Sequence, residues 1–261
     1  MRDHEPPSGG STASIPGGLR IYAVGDVHGR VDLLRELRDL VADDLTGFSD
    51  PVITVFLGDY VDRGPDSRQV LDMLVARDWP TPIMALRGNH ELAFMSFLDE
   101  PAMWAQWQSY GALPTLASYG VDVRKLMTSG PTGEVLTAIH DELLAALPPD
   151  HLVFLKDLRD RTAAGDYFFC HAGIRPGVPL EQQSAMDLVT IREPFLSSGE
   201  TFGRIIVHGH TPLEIPQVRA NRIGIDTGAY ATGHLTALVL EEDTRAWLTT
   251  GMGTKGRRSE P

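Results

Sequence analysis

Thr54-Val55-Phe56-Leu57-Gly58-Asp59-Tyr60-Val61-Asp62-Arg63-Gly64 is an apolar run that breaks at a glycine and then delivers two carboxylates and an arginine. The β-branched and aromatic residues of 52–57 predict a buried strand, and Gly58 allows a sharp turn at its end. Asp59 then stands at a carboxyl edge. Taken alone, an Asp-x-x-Asp-Arg-Gly stretch is more often a solvated turn than a site. The rest of the chain changes that reading. Gly25-Asp26-Val27-His28-Gly29 follows a second apolar run, Arg87-Gly88-Asn89-His90-Glu91 a third, His171-Ala172-Gly173 a fourth and His208-Gly209-His210-Thr211 a fifth. Five strand ends thus carry residues that suit hard and borderline metal ions.

A chain of 261 residues, 42% hydrophobic and 22% charged, suits one large α/β domain with a substantial core. No apolar run reaches the length of a membrane span, so insertion into a membrane is not expected. The first twenty residues hold no apolar signal core, and one cysteine fits a reducing compartment, which together predict a cytoplasmic protein. A formal net charge of -12 argues against binding to a nucleic-acid backbone, although a local cationic pocket is compatible with it.

In chain order, residues 1–18 are rich in Pro, Ser and Gly and read as a disordered lead-in with nothing to pack; 251–261 reads as a flexible tail. The folded unit is expected over 19–250. A strand over 19–24 leads to a helix over 31–44, whose Leu34, Leu37, Leu40 and Val41 share a face. The strand at 52–57 follows. Asp66 and Ser67 then open a helix carrying Val70, Leu71, Leu74 and Val75, which Pro80 and Pro82 stop before a strand at 83–86. This β-α-β-α-β order predicts parallel strands covered by helices. A helical insertion over about 92–158 breaks the alternation, with helix-like stretches at 91–98, 101–110 and 135–147. Trp104, Trp107, Tyr110 and Tyr119 within it read as core rather than as a substrate wall. Strand-like runs at 167–170, 204–207, 222–225 and 235–240 predict a second, partly antiparallel sheet. The expected fold class is α/β: a two-sheet β-sandwich flanked by helices.

Asp26 and His28 are two residues apart, so after a strand both can face one ion, and Asp59 could bridge to a second. Asn89, His171 and His210 add a neutral oxygen and two imidazoles, a set suited to Mn, Fe or Zn and unlike an all-oxygen calcium cage. Two ions about 3.5–4 Å apart can share a carboxylate and a water, acidifying the water for in-line phosphoryl displacement without a covalent intermediate. His140, His151 and His234 lie away from such turns and read as structural. His208 reads as support, and Asp226 as either support or a turn residue.

These motifs, in this order, resemble the calcineurin-like metallophosphoesterases, and within them the phosphoprotein phosphatase family in its short bacterial and phage form. The resemblance runs from about residue 19 to 240 and is weakest across the insertion. It implies Asp26, His28 and Asp59 on one metal, and Asp59, Asn89, His171 and His210 on the other, with Mn²⁺ the expected ion at both and Fe or Zn the alternatives. It further implies that His90 is the general acid, held and charged by Asp62, that Arg63 grips phosphate oxygens alongside Asn89, and that Arg192 in Ile191-Arg192-Glu193-Pro194 is a second phosphate-binding arginine. Arg175 competes for that last role. The physical chemistry agrees: a carboxylate keeps an imidazole protonated, and a guanidinium matches phosphate geometry.

The resemblance implies a phosphorylated protein as substrate, chiefly at phosphoserine and phosphothreonine, because Asp62-Arg63-Gly64 and Glu91 take the protein-phosphatase form. His171-Ala172-Gly173 favours instead the symmetrical dinucleoside tetraphosphatases, which cleave diadenosine tetraphosphate. A cysteine phosphatase built on Cys170 and Arg175 is disfavoured, since four residues separate them where five are needed. A non-catalytic metal-binding protein is disfavoured because His90, Asp62 and Arg63 are all retained.

Overall fold

The computed structural model describes residues 13–251. The chain opens with β1 (Arg20–Val24), α1 (Val31–Asp44), β2 (Val52–Phe56), α2 (Ser67–Val75) and β3 (Ile83–Ala85), and the three strands pair in parallel as expected. Residues of β1 alternate between two cores. Tyr22 and Val24 face α1 and α2, whereas Ile21 and Ala23 face a second sheet.

The insertion is helical throughout: α3 (Asn89–Asp99), α4 (Trp104–Ser109), α5 (Leu113–Ser118), α6 (Arg124–Ser129), α7 (Gly133–Ala146) and α8 (Pro149–Asp157). Its aromatics behave largely as core. Trp104, Trp107 and Tyr119 are buried, and Trp107 lies between Phe94 and Phe97, each with ring centroids 4.9 Å from its own. Tyr110 is only half-buried.

After the insertion come β4 (Arg161–Ala164), β5 (Tyr167–Cys170), α9 (Ala185–Thr190), β6 (Ile205–His208), β7 (Gln217–Val218), β8 (Arg222–Gly224), α10 (Ala229–Thr232), β9 (Thr236–Glu241) and β10 (Thr244–Thr249). The second sheet has the order β4-β5-β6-β8-β7, with β5, β6 and β8 parallel. The first has the order β10-β9-β1-β2-β3.

One strand differs from expectation: β9 returns to the first sheet, antiparallel to β1, rather than joining the second. Both its faces are apolar, with Ala237 and Val239 under the helices and Leu238 and Leu240 between the sheets, as a strand covered on both sides requires. Such a run carries no mark of which sheet it belongs to.

The sheets close on Ile21, Val55, Leu57, Phe169, Val207 and Leu238, among others. The lead-in contributes as well. Ile15 is 3% exposed, its N–H bonds the Glu242 carbonyl at 2.9 Å, and the Ser14 N–H bonds Asp166 at 2.9 Å, so this part of the segment does pack. Residues 1–12 and 252–261, the rest of the expected lead-in and tail, lie outside the described residues. Among those described, no helix is long and apolar enough to cross a membrane.

Phe169 is fully buried between the sheets. Phe169→Ala is expected to lower unfolding free energy by about 3–5 kcal/mol in urea titration, against less than about 0.5 kcal/mol for Met186→Ala on the surface. A loss under 1 kcal/mol at Phe169 would mean the inter-sheet core is not the main store of stability.

Candidate metal centre

The parallel strands of both sheets end at one place, and cross-links between their terminal loops hold them there. The N–H groups of Val27 and His28 both bond the Asp59 carbonyl, at 3.1 and 2.8 Å, tying the end of β1 to that of β2. The His90 N–H bonds Asp59 Oδ1 at 3.1 Å, and the His210 N–H bonds both Asp26 oxygens at 3.1 and 3.2 Å. Glu91 binds the turn from inside: its carboxylate accepts N–H bonds from Asp59, Tyr60, Val61 and Gly88 at 2.9, 2.7, 3.2 and 3.0 Å. Gly88 must be glycine, because a Cβ there would lie 2.0 Å from Asp59 Oδ1.

Seven non-glycine residues among those described have positive φ, and five of them are His28, Asp59, Asp62, Arg63 and His210. Left-handed backbone costs each an amount on the order of 1–3 kcal/mol and tends to persist where function needs a side chain aimed.

Two groups of ligand atoms result, each with its members within 4.8 Å of one another: His28, Asp59 and His90, and Asp59, His171 and His210. Asp59 is common to both, as a bridge between two ions would be. Asn89 joins the second group, with its Oδ1 3.0 Å from His171 Nε2 and 2.8 Å from His210 Nδ1. Asp59 Oδ1 lies 3.4 Å from that same His171 nitrogen. In the first group His28 Nε2 and His90 Nε2 lie 3.5 and 3.7 Å from Asp59 Oδ2. Asp26 stands beside these groups, buried against Asp226.

The donor set fits cations. A carbonyl only accepts, so His28 Nδ1 donates to Val61 and His171 Nδ1 donates to Leu57, at 2.9 and 3.0 Å. His28 therefore presents its Nε2 lone pair inward, buried and without a hydrogen-bond partner among the described residues, whereas His171 Nε2 faces the Asn89 and Asp59 oxygens, and Asp59 outweighs burial to raise its pKa. Burial pushes His28 and His210 down to about 3, which keeps both neutral at pH 7. Burial, then the Asp226 and Asp59 carboxylates, raises Asp26 well above the usual carboxylate range. Burial and then Asp59 likewise push Glu91 up to about 7. Buried lone pairs and crowded carboxylates of this kind are relieved by positive charge.

His90 differs from the others. Its Nδ1 bonds Asp62 Oδ2 at 2.8 Å, and its Nε2 points to the ligand groups without a hydrogen-bond partner. Burial works against its charge, but Asp59 and Asp62 outweigh burial and raise its pKa. Beside it opens a cavity of about 480 Å³ lined by Arg63, Asn89, Tyr110, Arg175, Arg192 and His210. Asp187 holds Arg175 in two hydrogen bonds, at 2.9 and 2.5 Å. Among the described residues Arg192 makes only a 3.5 Å contact with the His210 carbonyl, and Arg63 lies over the Tyr230 ring, its guanidinium carbon 4.7 Å from the centroid.

The remaining residues fall outside the ligand groups. Cys170 is buried, its thiol pushed up by burial, and no thiolate is available there. His151 bonds Tyr119 and Asp72, His140 the Leu98 carbonyl and His234 the Thr250 carbonyl, all structural as expected. His208 bonds the Gly209 carbonyl and supports the loop. Asp226 combines the two readings left open for it: one oxygen accepts the Gly228 N–H of a turn, and the other is buried against Asp26. Sequence reasoning missed Trp107, Thr115 and the backbone-binding role of Glu91, because each acts on the site through a fold contact of long sequence separation.

Cation binding should therefore stabilise the fold. Restoring Mn²⁺ or Zn²⁺ to chelated protein at a hundredfold over Kd is expected to add about 2.7 kcal/mol, read as a rise in Tm. An unchanged melting curve with either ion would contradict the reading of these groups as a metal centre.

Comparison with known proteins agrees with this geometry. Residues 19–237 match the family described as calcineurin-like phosphoesterase. The chain is 30% identical over 224 residues to the serine/threonine-protein phosphatase 1 of Salmonella typhimurium, covering 83% of this chain and 89% of that one. It is 27% identical over 239 residues to an asymmetrical bis(5'-nucleosyl)-tetraphosphatase of Oceanobacillus iheyensis, at 84% and 88% coverage. Similarity to the zinc-dependent endopolyphosphatase of Saccharomyces cerevisiae, 28% identity over 163 residues, covers 59% of this chain and 47% of the yeast protein. In fold it resembles the cold-active protein-tyrosine phosphatase of a psychrophilic Shewanella, with a TM-score of 0.52, 18% identity and coverage of 90% and 80%. With residues 19–237 matched and the turns that carry Asp26, Asp59, Asn89, His171 and His210 lying inside the match, the chain belongs to the calcineurin-like phosphoesterase family.

Proposed function

We propose that this phosphoesterase hydrolyses phosphomonoesters on proteins, chiefly phosphoserine and phosphothreonine, with two divalent ions, Mn²⁺ foremost, at the paired ligand groups. The observation that carries the reading is His90, which has a carboxylate behind Nδ1, an unpartnered Nε2 in front, and Arg63 beside it. In the assignment Asp26, His28 and Asp59 hold one ion, and Asp59, Asn89, His171 and His210 the other. Bound there, two ions supply an acidified water and neutralise charge on the phosphate.

The chain's own groups do the rest. Arg63 offers a planar fork of donors to two phosphate oxygens, and among the described residues no carboxylate is paired with it. Arg192 reaches into the same cavity. It is preferred to Arg175 as the second phosphate-binding arginine, because Asp187 already holds the Nε and Nη2 edge of the Arg175 guanidinium. As the bond from water oxygen to phosphorus forms and the ester P–O bond breaks, His90 Nε2 gives its proton to the departing alkoxide. Asp62 holds the ring so that Nε2 faces that oxygen. The products are the free hydroxyl and inorganic phosphate.

Support for protein substrates comes from the Asp62-Arg63-Gly64 and Glu91 residue types and from the serine/threonine phosphatase relative. A second reading has support of its own. The dinucleoside tetraphosphatase relative is of the asymmetrical kind, and Arg63 and Arg192 along one cavity suit a polyphosphate. The deciding experiment is kcat/KM for phosphoserine and phosphothreonine peptides against diadenosine tetraphosphate at one Mn²⁺ concentration, with the peptides expected to be faster. A tenfold reversal, about 1.4 kcal/mol in transition-state stabilisation, would transfer the assignment to the nucleotide.

The roles of ligand and acid separate by mutation. His90→Asn is expected to lower kcat by about 10²–10⁴-fold while both ions stay bound, whereas Asp59→Asn should lose metal together with rate. Elemental analysis showing a missing ion in His90→Asn would make His90 a ligand, as its nearness to His28 and Asp59 would allow.

A further inference from the structure

The helical insertion reaches the loop that carries Asp62 and Arg63 at three points. Thr115, in α5, donates its hydroxyl to Asp62 Oδ1 at 2.7 Å, and accepts the Asp62 N–H at 2.9 Å. Trp107, in α4, places its indole N–H 3.0 and 3.1 Å from the two Asp62 oxygens. Between the two helices the Gly111 carbonyl accepts the Arg63 N–H at 3.1 Å, and a Cβ on Gly111 would lie 3.3 Å from Arg63 Cγ. Tyr110, the neighbouring residue, lies with its ring centroid 5.0 Å from that of His90.

Asp62 is fully buried, so these contacts are its surroundings. Its Oδ2 receives His90 Nδ1, its Oδ1 receives Thr115, and the indole N–H spans both. The terminal torsion of an aspartate is soft and nearly two-fold. Two insertion donors on one carboxylate therefore select the plane in which the other oxygen meets the imidazole. The Thr115 hydroxyl is itself oriented. Its proton goes to Asp62, so its oxygen accepts from Asp62 N–H and from Ser67 Oγ at 3.0 Å.

We infer that the insertion is part of the catalytic apparatus, and that Thr115 and Trp107 are positioning residues which aim the proton of His90 at the leaving oxygen by locking Asp62. The inference rests on the phosphomonoesterase reading above. Its chemical signature is selective. An alkoxide leaving group needs the proton, whereas 4-nitrophenolate departs with little help, so misaiming His90 penalises the first and spares the second.

The test is kcat on a phosphothreonine peptide and on 4-nitrophenyl phosphate for Mn²⁺-loaded full-length protein. Thr115→Val keeps the shape and removes the hydroxyl, leaving the Asp62 N–H its bond to Ser67 at 3.0 Å. Trp107→Phe keeps a ring between Phe94 and Phe97 and removes the N–H. Each is expected to lose about 10–100-fold on the peptide and less than about threefold on the aryl ester, with two ions retained. Thr115→Ser, which restores the donor, is expected to recover most of the loss. Equal losses on both substrates, as misfolding or a merely structural role would produce, or no loss on either, would overturn the inference. An active wild type with such variants leaves the phosphatase reading standing, whereas a wild type that cleaves neither ester overturns both.

Discussion

The Glu91 carboxylate is the interaction on which the site depends. Four backbone N–H groups, three of them consecutive at Asp59, Tyr60 and Val61 and the fourth at Gly88, converge on its two oxygens. An arrangement of that kind holds a left-handed turn in place, and Asp59 at φ 53° needs such support. Glu91 also opens α3, where it reaches back to the Gly88 N–H and complements the positive end of the helix. One side chain thus fixes both the turn after β2 and the helix whose first two residues are Asn89 and His90. Removal of the side chain would leave four buried N–H groups without this acceptor, at a cost on the order of 1–3 kcal/mol each.

The sandwich makes this local order useful. Each sheet alone would bring only part of the proposed ligand set, Asp26, His28, Asp59 and Asn89 from the first and His171 and His210 from the second. Packing the sheets on Phe169, Leu57 and Val55 brings the two sets of strand ends together, and the hydrogen bonds from His210 to Asp26 and Asn89 close the seam. The inter-sheet core is in this sense what sets the distance between the ligand groups.

Much of this could be read from the chain, for a physical reason. Motifs such as Gly25-Asp26-Val27-His28-Gly29 are local: an apolar run, a glycine and a polar residue report a strand end through chemistry within five positions. The parallel order of β1, β2 and β3 followed from helices between strands. What stayed hidden was non-local. β9 is apolar on both faces and suits the middle of either sheet, so its partner is decided by packing alone. Ile15 lies in a Pro- and Ser-rich segment whose composition suggests no core, yet one buried isoleucine and hydrogen bonds of Ser14 and Ile15 with Asp166 and Glu242 dock it. Trp107 was correctly a core aromatic by its spacing, and the polar end of its ring escaped that reading, since periodicity reports the face a residue occupies and not what its N–H meets. Thr115 carried no signal, because its partner lies 53 residues away.

Electrostatics joins folding to chemistry at this centre. Asp26, Asp59, Glu91 and Asp226 are all at most 2% exposed. Four carboxylates in so little water would be expensive if each stayed ionised alone, and the raised pKa values of Asp26 and Glu91 express that cost. Two divalent ions carry the same charge with opposite sign. Asp62, the fifth buried carboxylate of the site, is met separately by His90 Nδ1 at 2.8 Å. In the proposed reading, Arg63 and Arg192 are then left over to meet the negative charge of a phosphate at the cavity mouth. On that reading the centre would be balanced in two steps, by ions for the fold and by substrate for the arginines, and a chain of net charge -12 can in this way present a locally cationic pocket.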